Sequence, residues 1–92
     1  MMQSRYKASR MVAWQEINGT ILVVGNVSMP TMTLEETGVE IWNLLIRECL
    51  SVQEVIDRLS HKYSASNLDE IAKDVIDFIR MLKEKEIIER LS

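Results

Sequence analysis

Ninety-two residues, 47% hydrophobic and 27% charged, describe a single globular domain rather than a disordered chain. Eleven basic against fourteen acidic side chains leave a formal net charge of −3, which disfavours a phosphate backbone, because that partner is held by clustered cations that release its counterions. The lone cysteine, Cys49, excludes an internal disulfide and any multi-cysteine metal site.

No apolar run approaches the roughly 20 residues of a membrane span. The start, Met1-Met2-Gln3-Ser4-Arg5, leads into no signal-peptide apolar region. A cytoplasmic location is therefore expected, with one domain over residues 1–92 and a flexible start at 1–10.

The first strong signal is β-type. Val12-Ala13-Trp14-Gln15-Glu16-Ile17 and Thr20-Ile21-Leu22-Val23-Val24 flank Asn18-Gly19. Both central residues of a type I′ turn need positive φ, and Asn and Gly tolerate it. A two-residue loop then fixes the register: Ile17 opposite Thr20, Gln15 opposite Leu22, Trp14 opposite Val23. Val12, Trp14, Ile21 and Val23 share the face expected to cover the core.

Gly25-Asn26 offers a second turn, and a third extended piece is expected from about Val27 to Thr33. Pro30 cannot donate a ladder hydrogen bond, which confines this piece to a sheet edge or a strand start. Alternation puts Met32 and Leu34 on the core side, with Thr31 and Thr33 opposite.

From Leu34 the hydrophobic period turns helical. Thr33-Leu34-Glu35-Glu36 predicts a capping box, followed by a stripe of Leu34, Gly38, Ile41, Trp42 and Leu45. Ser51-Val52-Gln53-Glu54 predicts a second box, opening a helix with Val52, Val55, Ile56, Leu59 and Tyr63 on one face. After the polar stretch Ser64-Ala65-Ser66-Asn67, with Ser66 or Asn67 as cap, a third helix carries Leu68, Ile71, Ala72, Val75, Phe78, Ile79 and Leu82 and runs to about Lys85. The tail Ile87–Leu91 packs on the sheet or pairs with it. The order predicts an α+β chain: a three-stranded antiparallel sheet followed by three helices, with no second sheet and at least one uncovered strand edge.

Reactive constellations are scarce. His61 is the only histidine, near a helix end where a cation is favoured. Cys49 reads as a buried, inert thiol. Glu70, Asp74 and Asp77 lie three or four residues apart and read as one solvated face. Nucleotide-loop, metalloprotease and nucleophile-elbow motifs are absent from the sequence. No catalytic residue, metal or cofactor is therefore expected.

Three helices beside a small sheet are also the parts of a winged-helix DNA-binding regulator. The third helix, however, offers Asp69, Glu70, Lys73, Asp74, Asp77 and Arg80 at its exposed positions, a net negative surface toward phosphates. An interaction module fits better. The candidate edge strand, Ser28-Met29-Pro30-Thr31-Met32-Thr33, holds no charge to blunt it, and methionine adds an adaptable surface. Met32 itself is expected in the core.

Trp14-Gln15-Glu16-Ile17-Asn18-Gly19, the apolar strand after it, Leu34-Glu35-Glu36-Thr37-Gly38-Val39-Glu40-Ile41-Trp42-Asn43-Leu44-Leu45 and the Ser51-Val52-Gln53-Glu54-Val55-Ile56 helix start together resemble the PqqD-like family. These small domains are also called RiPP recognition elements. The resemblance covers about residues 8 to 91. It implies a winged-helix-like fold that binds the leader of a ribosomally made precursor peptide as an added strand, in the groove between the third strand and the third helix. By position, it points to Met29, Pro30, Thr31, Met32 and Thr33 on the strand. On the helix it points to Lys73, Ile76, Asp77 and Arg80. Family members often carry an aromatic pair and a glycine in that strand, where this chain reads Met29-Pro30-Thr31-Met32. The implied partners are a precursor leader peptide and a separate leader peptidase or radical-SAM maturase. The chain is similar to the discrete recognition proteins of lasso-peptide systems, and to peptide chaperones of the pyrroloquinoline quinone pathway.

Overall fold

The computed structural model describes residues 2–25, 31–63 and 68–91. The strands are β1 (Tyr6–Ala8), β2 (Ala13–Ile17), β3 (Thr20–Val24), β4 (Met32–Leu34) and β5 (Ile88–Arg90). The helices are α1 (Thr37–Trp42), which runs into a π-helical turn at Asn43–Arg47, then α2 (Val52–Lys62) and α3 (Leu68–Glu84). Strands β2, β3 and β4 form an antiparallel sheet in that order. Three helices follow it, giving the α+β, winged-helix-like arrangement expected.

The hairpin has the predicted register, with Ile17 opposite Thr20, Gln15 opposite Leu22 and Trp14 opposite Val23. Asn18 and Gly19 supply the turn with φ of 51° and 79°, the left-handed pair that matches the strands' twist. Ile21 and Val23 are buried from this sheet. They meet Trp42 and Leu45 from the first helix, Val55 and Leu59 from α2, and Val75, Ile79 and Leu82 from α3. Trp14 is half-buried. Its ring meets Trp42 edge-on, with centroids 5.5 Å apart at 69°.

Helix α2 begins as the sequence predicts. Ser51 N–H donates to Glu54 Oε1 at 2.9 Å, and Glu54 N–H donates to Ser51 Oγ at 3.2 Å. Two further amides at this end, Val52 N–H and Gln53 N–H, are satisfied by the carbonyls of Ser4 and Met2. The helix thereby holds the start of the chain.

Four expectations need correction. The predicted capping box at Thr33–Glu36 does not form: α1 starts at Thr37, and the residue before it, Glu36, makes no side-chain cap bond. The cause is strand pairing. Thr33 lies opposite Leu22 and Leu34 opposite Ile21, so the chain stays extended until Leu34 is buried in the core, and Glu36 makes the turn at a φ of 51°. Leu34 is thus a core residue of a strand, not of a helix.

A second sheet does exist. The tail strand β5 pairs with β1, Tyr6 opposite Arg90 and Ala8 opposite Ile88, rather than with the three-stranded sheet. The expected flexible start at 1–10 contains that strand, with Tyr6 only 1% exposed. Alternation is visible there after the fact: Ser4 and Tyr6 are buried, Arg5 and Lys7 exposed. Finally, among the described residues the third strand covers Met32–Leu34, so it runs on past the expected end at Thr33. Residues 27–30 of that expectation, Asn26 of the expected turn, and the Ser64–Asn67 linker with its cap lie outside the described residues.

Candidate functional site

Strand β4 is the outer strand of its sheet: β3 lies on one side, and no described strand lies on the other. The described tail strand, β5, pairs with β1 instead. An uncovered strand presents a row of amides and carbonyls able to pair with another extended chain. The opposite edge strand, β2, carries Glu16 with Arg47 beside it at 3.2 Å. Thr31, Met32 and Thr33 carry no charge.

Alternation in β4 is as predicted. Met32 is half-buried and packs against the core, Leu34 is buried, and Thr31 and Thr33 are exposed. Of the expected strand residues, Thr31, Met32 and Thr33 therefore sit together along the open edge. Met29 and Pro30 lie outside the described residues.

Helix α3 reaches the start of α1 through Phe78. A Cβ built on Gly38 of α1 would stand 3.4 Å from Phe78 Cε1 and 3.7 Å from Leu34 Cβ, so the ring, Gly38 and the strand's last residue form one cluster. Gly38 leaves the room that this ring uses. Positions three and four apart share a helix face, which puts Ile71, Asp74, Phe78 and Met81 in one column on this flank. Ile71, Phe78 and Met81 are half-buried against the core, and Asp74 is exposed.

The helix residues named from the resemblance are placed differently. Ile76 is half-buried against the core. Residues two apart on a helix point roughly 160° apart, so Ile76 lies on the flank opposite Phe78. Lys73, Asp77 and Arg80 are exposed, and Arg80 Nη1 reaches Asp77 Oδ1 at 3.9 Å. Periodicity alone assigned Ile71 and Phe78 to a general core stripe and Asp74 to a solvated face. The signal for a second role was their shared column, continued to Met81.

Among the described residues, the remaining polar groups show no reactive arrangement. His61 is exposed on α2 in a shallow depression with Leu50, Glu54, Asp57, Arg58 and Lys62. Cys49 is half-buried rather than buried, and its carbonyl accepts a hydrogen bond from Arg5 Nη1. Glu40 on α1 receives Lys62 Nζ at 2.8 Å and the Tyr63 hydroxyl. The Lys62 hydrogen bond, then that of Tyr63, holds the Glu40 carboxyl below its ordinary range. Among the described residues, no group of three or more His, Cys, Asp or Glu is placed to hold a metal ion. No described helix is long and apolar enough to cross a membrane. Asp69, Glu70, Lys73, Asp74, Asp77 and Arg80 are all exposed, the mainly acidic surface that argued against a DNA-recognition helix.

The family model described as coenzyme PQQ synthesis protein D (PqqD) matches residues 22–88, a span that runs from within β3 through β4 and all three helices. A solved structure of TbiB1 in complex with the TbiA(beta) leader peptide is similar, with a TM-score of 0.79 and 28% sequence identity. The likeness covers 90% of this chain and 94% of that one. No curated protein matches.

Proposed function

The chain belongs to the PqqD family, and from that premise we propose that it binds the leader segment of a ribosomally synthesised precursor peptide by strand addition to β4. The carrying observation is the uncharged outer edge of β4, beside which no described strand lies, the tail strand being paired with β1. Its likeness to a protein solved with a leader peptide supports the same reading. In this role the protein catalyses nothing. It captures an extended leader and presents the precursor, in the cytoplasm, to a separate modifying enzyme or leader peptidase. A lasso-peptide system is the favoured setting, on the resemblance to the discrete recognition proteins of such systems. A radical-SAM maturase is the alternative partner.

Energetics dictate how the leader must be held. Each main-chain hydrogen bond contributes about 0.5–1.5 kcal/mol net, and Pro30 lacks a donor. Ordering the leader costs about 2–5 kcal/mol, so backbone pairing with a strand this short leaves little surplus. Apolar leader side chains must therefore seat between the strand and α3. Met29, Pro30, Thr31, Met32 and Thr33 form the strand side of the proposed site. On the helix side, the Phe78–Met81 flank is favoured because Phe78 packs beside Gly38, which Leu34 of β4 also borders. Lys73, Ile76, Asp77 and Arg80 form the competing flank.

The test is amide chemical-shift mapping of the isotope-labelled protein on titration with the leader of the precursor peptide encoded beside its gene. Shifts at residues 31–34, together with 74, 78 and 81, are expected. Shifts centred on Lys73, Ile76 and Arg80 would move the helix side to the other flank. Shifts confined to regions away from β4 would overturn strand addition.

A further inference from the structure

We infer that Asp74 is a specificity-determining residue of this groove and selects peptides with a lysine or arginine at a strand position facing α3. The inference rests on the reading that an extended peptide adds to β4.

Four observations converge on Asp74. It belongs to the column Ile71, Asp74, Phe78 and Met81, which otherwise is apolar and half-buried against the core. Phe78, one turn beyond it, packs beside Gly38 of α1, which Leu34 at the end of β4 also borders. The described strand side of the groove, Thr31, Met32 and Thr33, contributes no charge, so the carboxylate of Asp74 is the one charge on these two sets of residues.

The fourth observation concerns pairing. Residues three and four away on the same helix are its only intrahelical neighbours, and for Asp74 these are Glu70, Ile71, Asp77 and Phe78. None is a cation. Asp77 has Arg80 at 3.9 Å, and Glu16, Glu40, Glu48, Glu54 and Glu89 each have a cation within 4 Å. Asp74 makes no ion pair among the described residues. A cation must come from outside the helix, and alternate residues of an added strand point to the same side. One of these positions can deliver an ammonium or guanidinium to Asp74 while its neighbours on that side seat against Phe78 and Met32.

Partial exposure limits the gain. An exposed ion pair is worth a roughly two- to fivefold change in affinity, enough to discriminate among leaders that share an apolar pattern but not to bind by charge alone.

The experiment is selection of a random twelve-residue peptide display library on the full chain, on Asp74→Asn, on Asp74→Lys and on a control at an exposed carboxylate of α2, Asp57→Asn, each checked for fold by circular dichroism. Wild type and Asp57→Asn are expected to enrich Lys or Arg at one fixed position within an alternating apolar pattern. Asp74→Asn should lose that preference, and Asp74→Lys should replace it with Asp or Glu. A synthetic selected peptide should bind Asp74→Asn two- to fivefold more weakly, and a Lys→Met version of the peptide should not distinguish the two proteins. Enrichment of extended apolar peptides with no cation preference, or the same preference in Asp74→Asn, overturns the inference while leaving leader binding intact. If wild type enriches no extended peptide, the leader-binding reading falls and this one falls with it.

Discussion

Gly38 lies against Phe78, with the position of an added methyl 3.4 Å from Cε1 and 3.5 Å from Cζ of the ring. That spacing is ordinary van der Waals contact, so the site has room for one carbon and no more. Gly38 sits inside α1, where glycine costs about 0.5–1 kcal/mol relative to alanine. Gly38→Ala should therefore raise the melting temperature by a few degrees and leave peptide binding unchanged. Gly38→Leu should drive the ring from its place, cost about 1–3 kcal/mol by overpacking and weaken peptide binding. Thermal melts and calorimetric titration of both variants would separate the two effects; equal binding losses would remove Phe78 from the groove.

Trp14 links the hairpin to the first helix. Its ring packs edge-on to Trp42, Arg47 lies 5.2 Å above its centroid, and the same guanidinium pairs with Glu16 at 3.2 Å. The arrangement combines aromatic packing, a cation over a ring face and an exposed ion pair. Trp14→Ala should cost about 2–4 kcal/mol in urea unfolding, toward the lower part of the range for large-to-small core changes because the ring is half-buried. Arg47→Met, which keeps much of the apolar stem, should cost under about 1 kcal/mol. A larger loss for Arg47→Met than for Trp14→Ala would reverse this ranking.

The cap at Ser51 offers a cleaner measurement. Ser51 is 2% exposed, and its hydroxyl satisfies the amide of Glu54. Removing it in Ser51→Ala should cost about 1–2 kcal/mol. Ser51→Thr keeps the acceptor and should recover much of that. Equal stability of the alanine and threonine variants would show that burial, not the hydrogen bond, is what matters at this position.

These cases also mark where the fold was legible in the sequence. Asn18-Gly19 and Ser51-Val52-Gln53-Glu54 are local devices whose partners lie within a few residues, so their geometry followed from the residue types. Helix α1 was misread at its start because pairing of Thr33 with Leu22 is a non-local constraint that outweighs a local cap. The β1–β5 sheet was missed because Tyr6 finds Arg90 from the far end of the chain, and three-residue strands carry too little alternation to announce themselves. At the candidate site, the uncharged strand edge was readable from composition. Which flank of α3 would meet a docked peptide was not: Ile76 and Phe78 are equally apolar, and what favours Phe78 is its place beside Gly38, which Leu34 also borders.

The Glu40 cluster ties α1 to the end of α2 and should give stability a defined pH dependence. The hydrogen bond from Lys62, then that from Tyr63, lowers the Glu40 carboxyl. The same carboxylate raises the Lys62 ammonium and the Tyr63 phenol. A lowered carboxyl contributes stability that is present above its unfolded value and is lost as pH falls through its folded value. A raised ammonium or phenol contributes stability that is present below its unfolded value and is lost as pH rises through its folded value. The cluster should therefore support the fold on a neutral plateau, weakening in acid through Glu40 and in strong alkali through Lys62 and Tyr63. Melting temperatures of wild type and Glu40→Gln across that range should differ most on the plateau and converge at both ends. Because Lys62 and Tyr63 are exposed, the difference should be modest and should shrink in 1 M salt, where the screening length falls to about 3 Å. Curves that run parallel down to the acid limit would mean that Glu40 is not the group being titrated.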